Sequence, residues 1–416
     1  MNKEKVMFII PNLGSGGAER VVVNLCKGLT DYEKVVLIFE EVIKQDVEAN
    51  IISINSPPSK SLLKKLLNFP IRYLKIRKMK KETKPSFVIS LAEPSNLFNI
   101  LTKMDNQKTI LSFHYNYTEF FQKDPSLGRG IKRSILKILY VIAFKTIYNK
   151  ANLTVAVSRD VAEDLIKNYG INSDKIKVIY NPYPIYEIKE LAKEPLGNYE
   201  EIFKHPVLIT AGRLTKQKGQ WYLLRIFKAL KEKHKDLKLV ILGEGDLKDY
   251  LVGLSEELGL KTYVWDRSEL SESFDVYFLG FQKNPFKFIA RSKLFVFPSL
   301  WEGFPNALVE AMACGVPVVS SDCRSGPREI LAPNTDFNYQ TQKPEFAEYG
   351  VLMPVFEAKY KNANEQLEEK EIMWIKTIDK LLENESLRKH YSKKTKQRAE
   401  DFRIERIVEE WKEILR

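Results

Sequence analysis

Cysteine is nearly missing from this chain. Its three thiols, Cys26, Cys314 and Cys323, form no Cys-x-x-Cys pair and no metal-ligand spacing, which excludes a disulfide scaffold or a zinc module and fits a reducing compartment. Long apolar runs are missing too: no uncharged stretch reaches the ~18 to 20 residues that a membrane-spanning helix requires. Met1 to Lys5 is polar and leads directly into a predicted strand, so no secretory signal is read there and a cytoplasmic protein is expected. A further scarcity is local: residues 51–150 hold 5 Asp+Glu against 19 Lys+Arg.

That deficit sets the charge of the whole chain. Residues 1–183 carry 29 basic and 17 acidic side chains, whereas residues 184–416 carry 37 of each, so the entire net +12 belongs to the first half. Asymmetry of this size implies a polyanionic partner surface, anionic lipid or nucleic acid. No nucleic-acid-binding motif accompanies the charge, and an anionic membrane surface is the expected partner. Two basic apolar segments could lie in a membrane interface, 61–84 (SLLKKLLNFPIRYLKIRKMKKETK) and 131–148 (IKRSILKILYVIAFKTIY). In 61–84 the charge is too one-sided for a core helix. For 131–148 alone, a core helix with a solvated lysine face is the preferred reading.

Otherwise the chain reads as α/β. Strands are predicted at 5–11, 34–39, 49–54, 86–90, 109–113 and 151–158 with helices between them, so the first half, 1–184, is a mainly parallel sheet. Residues 185–205 are polar, contain Pro195 and Gly197, and read as a linker. The pattern restarts at Pro206–Ala211 for a second domain, 206–401, in which Lys261–Asp275 reads as a surface hairpin. The last helix, about 402–416, carries Ile404, Ile407, Val408, Trp411, Ile414 and Leu415 on one stripe.

Four loops carry chemistry. Gly303-Phe304-Pro305 leads into Asn306 and a run of helix formers that stops at Gly315, predicting a helix over about 305–314 whose N-terminus can seat a phosphate. Glu302 precedes this helix and Glu310 is its lone charged side chain; the vicinal hydroxyls of a ribose would satisfy Glu310, and a solvated edge would serve equally. Gly212-Arg213 and Lys218-Gly219 bring two cations to a glycine-bordered loop, suited to a diphosphate leaving group or simply to water. Asn12 to Gly17 is a glycine loop between strand and helix, with Gly16 and Gly17 in the position of a phosphate loop or a tight turn. It is not the dinucleotide fingerprint, because Glu19 stands where the third glycine belongs. His114 follows a predicted strand directly, where ligands of parallel sheets gather.

The block Pro298-Ser299, Glu302-Gly303-Phe304-Pro305 and Glu310-Ala311-Met312-Ala313-Cys314-Gly315-Val316-Pro317 resembles the donor site of glycosyltransferase family 4, retaining enzymes with a Glu-x7-Glu pattern. The resemblance extends over nearly the full length and is strongest from 206 to 330. It implies the GT-B fold: two Rossmann-like domains facing across a cleft, with the C-terminal helix returning to the first. It further implies transfer of a hexose or N-acetylhexosamine from a nucleotide sugar, with a uridine diphosphate (UDP) sugar expected. Arg213 and Lys218 would act on the donor diphosphate, Glu302 and His114 would sit by the reacting sugar, and Glu310 would bind the ribose. Gly16, Gly17, Gly212, Gly303, Phe304, Pro305 and Asn306 would border the donor, and the stretch around Phe281 the nucleobase. Asp-x-Asp occurs nowhere, so no metal and no other cofactor is expected. The expected acceptor is an isoprenoid-diphosphate-linked glycan at the inner face of the cell membrane. A soluble enzyme acting on a free sugar or sugar phosphate, a non-catalytic binding protein of the same shape, and a nucleotide-sugar epimerase are the alternatives.

Overall fold

Strand β1 (Lys5–Ile10, KVMFII) has five consecutive residues, Val6 to Ile10, with no exposed surface. A strand buried on both faces needs helices on both sides, the condition for a parallel sheet. The computed structural model describes residues 3–14, 16–56, 62–123 and 130–416, with backbone alone at 62–67 and 131–132. Met1, Ser15 of the glycine loop and Ser61 of the first basic segment lie outside the described residues.

The chain forms two compact units, Met1–Phe121 with Pro125–Tyr183 and Phe402–Arg416, and Gln122–Asp124 with Pro184–Asp401. In the first unit β1 is joined by β2 (Glu33–Ile38), β3 (Asn50–Ser53), β4 (Phe87–Leu91), β5 (Lys108–Phe113), β6 (Leu153–Ala156) and β7 (Ile176–Val178). Their order is β3-β2-β1-β4-β5-β6-β7, every neighbouring pair parallel. The second unit holds β8 (Val207–Ala211), β9 (Lys238–Leu242), β10 (Thr262–Val264), β11 (Val276–Phe278), β12 (Leu294–Phe297), β13 (Val318–Ser321), β14 (Glu345–Phe346) and β15 (Val351–Met353). Here the order is β10-β11-β9-β8-β12-β13-β15-β14, and only β14 runs antiparallel to its neighbour. Both sheets are Rossmann-like, and each reverses its winding once, between β1 and β4 and between β8 and β12. Loops leave such a point toward opposite faces and open a crevice at the carboxyl ends of the strands.

The C-terminal helix, Ile404–Leu415, belongs to the first unit, as the resemblance to glycosyltransferase family 4 implies. Ile404, Ile407, Val408, Trp411, Ile414 and Leu415 join the core that also holds Val21, Val22 and Leu25 of the first helix, Gly17–Gly28. Close approach of the two helices depends on Gly28: a Cβ there would lie 2.3 Å from Val408 Cγ2 and 2.7 Å from Ile404 Cγ2.

Three local expectations change. The stretch 185–205 is folded: Ile185–Leu191 is a helix, and Ile185, Ile188, Leu196 and Ile202 are buried. Its backbone is tied to the second unit, with Asn284 Nδ2 donating to the Leu191 carbonyl at 2.8 Å and Arg291 Nη1 to Ala192 at 3.0 Å. A polar composition concealed these few well-spaced apolar residues. The region 261–275 is no hairpin, because Thr262–Val264 enters the sheet parallel to β11. The helix Ile131–Thr146 does bury Phe144, but the side turned away from the core is aliphatic rather than a lysine face.

Replacing Trp411 by Ala removes one of the largest fully buried side chains of the first unit. The expected loss is about 3–5 kcal/mol of unfolding free energy, read as a lowered urea midpoint. A midpoint within ~0.5 kcal/mol of the parent would show that the returning helix contributes nothing to the first unit.

Candidate active site

The two reversal points are bordered by the loops whose sequences stood out. In the second unit the loop after β8 carries Gly212 to Gly219 and the loop after β12 carries Pro298 to Pro305. Because β8 and β12 pair directly, residues 84 apart in sequence meet: Lys218 Nζ donates to Glu302 Oε1 at 2.6 Å. Gln217 Nε2 donates to the Trp301 carbonyl at 2.8 Å and to Glu302 Oε2 at 3.3 Å, and Leu300 N–H donates to the Gln217 carbonyl at 2.8 Å. The Lys218 ammonium also stands 5.1 Å from the Phe297 ring centroid. Only 16% of the Lys218 side chain and 7% of Glu302 is exposed, so each charge tolerates its burial because the other is present. The loops can approach this closely because Gly219 has φ +61° and carries no Cβ, which would lie 2.6 Å from the Pro298 carbonyl oxygen.

The helix over 306–313 begins where the sequence places it. Leu308, Val309, Ala311, Met312 and Ala313 are buried, Pro305 caps it without a side-chain hydrogen bond, and its first turn has no acidic residue. The partial positive charge of that end is therefore not offset by a carboxylate in its first turn. Glu310 is half-buried on the same helix. Burial first, and the nearby Glu310 charge second, push the Cys314 thiol up; burial and then Glu302 do the same to Cys323. Both thiols stay protonated and are unsuited to nucleophilic roles.

Arg213 is exposed on the β8 loop, and among the described residues its guanidinium makes no ion pair. The loop backbone is fixed around it: Gln220 Nε2 donates to the Arg213 carbonyl at 3.0 Å and Gly212 N–H to Leu242 at 2.9 Å. Phe281 follows β11 with its ring half-exposed and its N–H donating to Glu244 Oε1 at 3.3 Å. Arg213, Lys218, Phe281, Glu302 and the 303–306 turn thus share the carboxyl edge of one sheet.

The first unit differs in charge at the corresponding place. Asn12 Oδ1 accepts from Gly14 N–H at 2.9 Å and its Nδ2 donates to Glu40 Oε1 at 2.6 Å, shaping the glycine loop after β1. Gly16 caps the helix Gly17–Gly28, and Glu19 folds back over it, so that a Cβ on Gly16 would lie 2.2 Å from Glu19 Oε2.

His114 stands just past β5, its Nε2 3.1 Å from Ser112 Oγ, and burial holds the imidazole down to about 4, neutral at physiological pH. One neighbour escaped the sequence reading. Glu93 follows β4, at the reversal point of the first sheet, and accepts from Tyr148 O–H at 2.9 Å. Burial pushes its carboxyl up to about 7, against the opposing effect of hydrogen bonds from Tyr148, Leu97 and Asn96. The residue before it, Ala92, has φ +60°, a costly conformation for a residue with a Cβ. Asn96 Nδ2 donates to the Ser112 carbonyl at 3.0 Å and Oδ1 accepts from Ser90 Oγ at 2.8 Å, linking the Glu93 loop to the strand that delivers His114. Gln217 was likewise passed over, although its neighbours were not. Spacing along the chain marks neither residue; only strand order does.

Two family models match the chain: "Glycosyltransferase Family 4" over residues 15–185 and "Glycosyl transferases group 1" over 198–345. An uncharacterized glycosyltransferase of Methanocaldococcus jannaschii is 34% identical over 387 residues, 92% of each chain. A Campylobacter jejuni enzyme named N-acetylgalactosamine-N,N'-diacetylbacillosaminyl-diphospho-undecaprenol 4-alpha-N-acetylgalactosaminyltransferase is 30% identical over 402 residues, 96% of each. Among solved structures, Anabaena HepE in complex with UDP and glucose superimposes with a TM-score of 0.70 at 18% identity, covering 99% of both chains.

Two outcomes are expected. Replacing Glu302 by Gln leaves Lys218 without its counter-charge, so UDP should bind about five- to tenfold tighter in titration calorimetry, a gain of ~1–1.4 kcal/mol; weaker binding would mean that the carboxylate organises the diphosphate seat rather than competing for it. Glu93 loses its proton near 4.5 in the unfolded chain but near 7 when folded. The native state therefore holds the extra proton between these values, and folding weakens as pH rises from about 4.5 through about 7. The melting temperature of Glu93→Gln minus that of the parent should grow between pH 5 and pH 8, and a constant difference would contradict the shifted carboxyl.

Proposed function

Starting from the fact that this chain belongs to glycosyltransferase family 4, whose members move a sugar with retention of anomeric configuration, we propose that it carries a hexose or N-acetylhexosamine from a UDP-sugar to an isoprenoid-diphosphate-linked glycan. The proposed setting is the inner face of the cell membrane, in assembly of a surface glycan. The observation that carries this reading is the loop pair of the second unit, where Lys218 meets Glu302 at 2.6 Å on the same sheet edge as the exposed Arg213 and a helix N-terminus with no acidic residue in its first turn.

In this reading the donor diphosphate engages Arg213, Lys218 and backbone N–H groups of the 303–306 turn other than Pro305, which has none; these stabilise the negative charge that develops as the sugar–phosphate bond breaks. Lys218 then exchanges Glu302 for phosphate, and the released carboxylate turns to the transferring sugar. Glu310 takes the ribose hydroxyls, and the half-exposed Phe281 lies by the base. Neutral His114 can accept or donate one hydrogen bond to the sugar without adding charge. Gly16 and Gly17 border the donor in this reading, on the loop that Glu19 folds over. Retention without a covalent intermediate requires attack on the face the diphosphate leaves, with its oxygen taking the acceptor's proton; no residue is assigned as nucleophile.

For the acceptor, support comes from the Campylobacter jejuni relative, whose name specifies a diphospho-undecaprenol-linked substrate, and from the 19 basic against 5 acidic residues in 51–150. No helix among the described residues is long and apolar enough to cross a membrane, so any membrane contact would be peripheral.

The test is a panel of nucleotide sugars offered with an isoprenoid-diphosphate glycan or with free sugars. A UDP-sugar should raise the melting temperature and support transfer to the lipid-linked acceptor. Arg213→Ala with Lys218→Ala should abolish the stabilisation and lower turnover at least 10²-fold. Glu302→Gln should also lose turnover while holding UDP. A guanosine or adenosine donor, turnover on free sugars alone, or no turnover with any acceptor would each overturn the corresponding part.

A further inference from the structure

The helix Ile131–Thr146 has two apolar faces, and the fold covers only one of them. Phe144 has no exposed surface and packs on Phe113, Tyr148 and Tyr169 with ring centroids 4.6–5.3 Å apart. Tyr140 faces the same way, stacked on Phe144 and edge-on to Phe121. On the other side Ile135 is 52% exposed, Ile138 58%, Leu139 56% and Ile142 52%. Their spacing, i, i+3, i+4 and i+7, makes one continuous stripe along two turns. Single exposed aliphatics are ordinary, but four in a row on one helix mark a surface that something covers.

The charge around the stripe identifies what that is. Between Asp124 and Asp160 the chain has seven Lys and Arg residues and no Asp or Glu. A symmetric pairing with a second copy would set these cations against themselves. An anionic bilayer offers apolar chains to the stripe and phosphates to its flanks. A second helix of the same unit, Leu62–Thr83, repeats the composition, with Phe69, Ile71 and Leu74 exposed alongside exposed Lys75, Arg77, Lys78 and Lys81.

We infer that Ile135, Ile138, Leu139 and Ile142 insert into the acyl boundary of an anionic membrane, the helix lying in the interface plane while Lys137 and Lys145 reach the headgroups. The inference rests on the membrane-bound reading above and assigns its contact. It places the amphipathic contact on a helix that is continuous with the aromatic core under His114, since Phe113, the residue before His114, packs on Phe144 at 5.3 Å.

The test uses the full chain and sedimentation with vesicles of phosphatidylcholine containing about a third phosphatidylglycerol, at physiological salt. The wild type should bind, and a variant with Ile135→Ser, Ile138→Ser, Leu139→Ser and Ile142→Ser should bind at least tenfold more weakly with unchanged UDP affinity and melting temperature. Ile138→Trp should gain fluorescence quenching by bromine-labelled acyl chains. If the wild type binds and the serine variant binds equally, this helix is not the contact, although the membrane reading survives. If the wild type does not bind these vesicles, both fall. Equal binding to pure phosphatidylcholine would overturn the anionic requirement. A wild-type dimer converted to monomer by the serine variant would overturn the inference in favour of a second copy.

Discussion

Everything at the candidate site of the second unit depends on one topological constraint: β8 lies between β9 and β12, so the winding of the second sheet reverses there. Parallel strands deliver all their following loops to one edge, and at a reversal the two loops diverge and leave room between them. Lys218 and Glu302 face each other because of that order, each sparing the other the cost of an unpaired buried charge.

The first sheet uses the same winding with different loops. Its glycine loop follows β1, and Glu19 folds over Gly16 at the start of the following helix. Glu93 with its raised carboxyl and His114 with its lowered imidazole follow neighbouring strands, β4 and β5; the imidazole is neutral at pH 7 and the carboxyl is only partly ionised there. Burial, which disfavours charge of either sign, produces both shifts.

Much of this could be read in the chain. The block from Pro298 to Pro317 is contiguous, so its helix, its bounding turn and its two glutamates are fixed by near neighbours, and the structure puts the helix at Asn306–Ala313. The alternation of buried strands with helices gave the fold class, and the stripe on the last helix showed that it packs on one side, while its return to the first unit was implied by the family resemblance alone. Glu93 and Gln217 were not readable in this way, since neither sits in an unusual local pattern. Residues 185–205 misled for a related reason: average polarity outweighed Ile185, Ile188 and Ile202, whose burial depends on a surface far away in sequence.

The segment 131–148 divides the two sources most clearly. Sequence alone determined that it is a helix and that its charge is all of one sign, because these follow from residue identity and a period of 3.6; the lysine face expected on its outer side was not found. Which side faces the protein was decided only by tertiary structure. Periodicity is the same whichever stripe is covered, and it took the placement of Phe113, Tyr148 and Tyr169 to cover Phe144 and leave Ile135, Ile138, Leu139 and Ile142 outside.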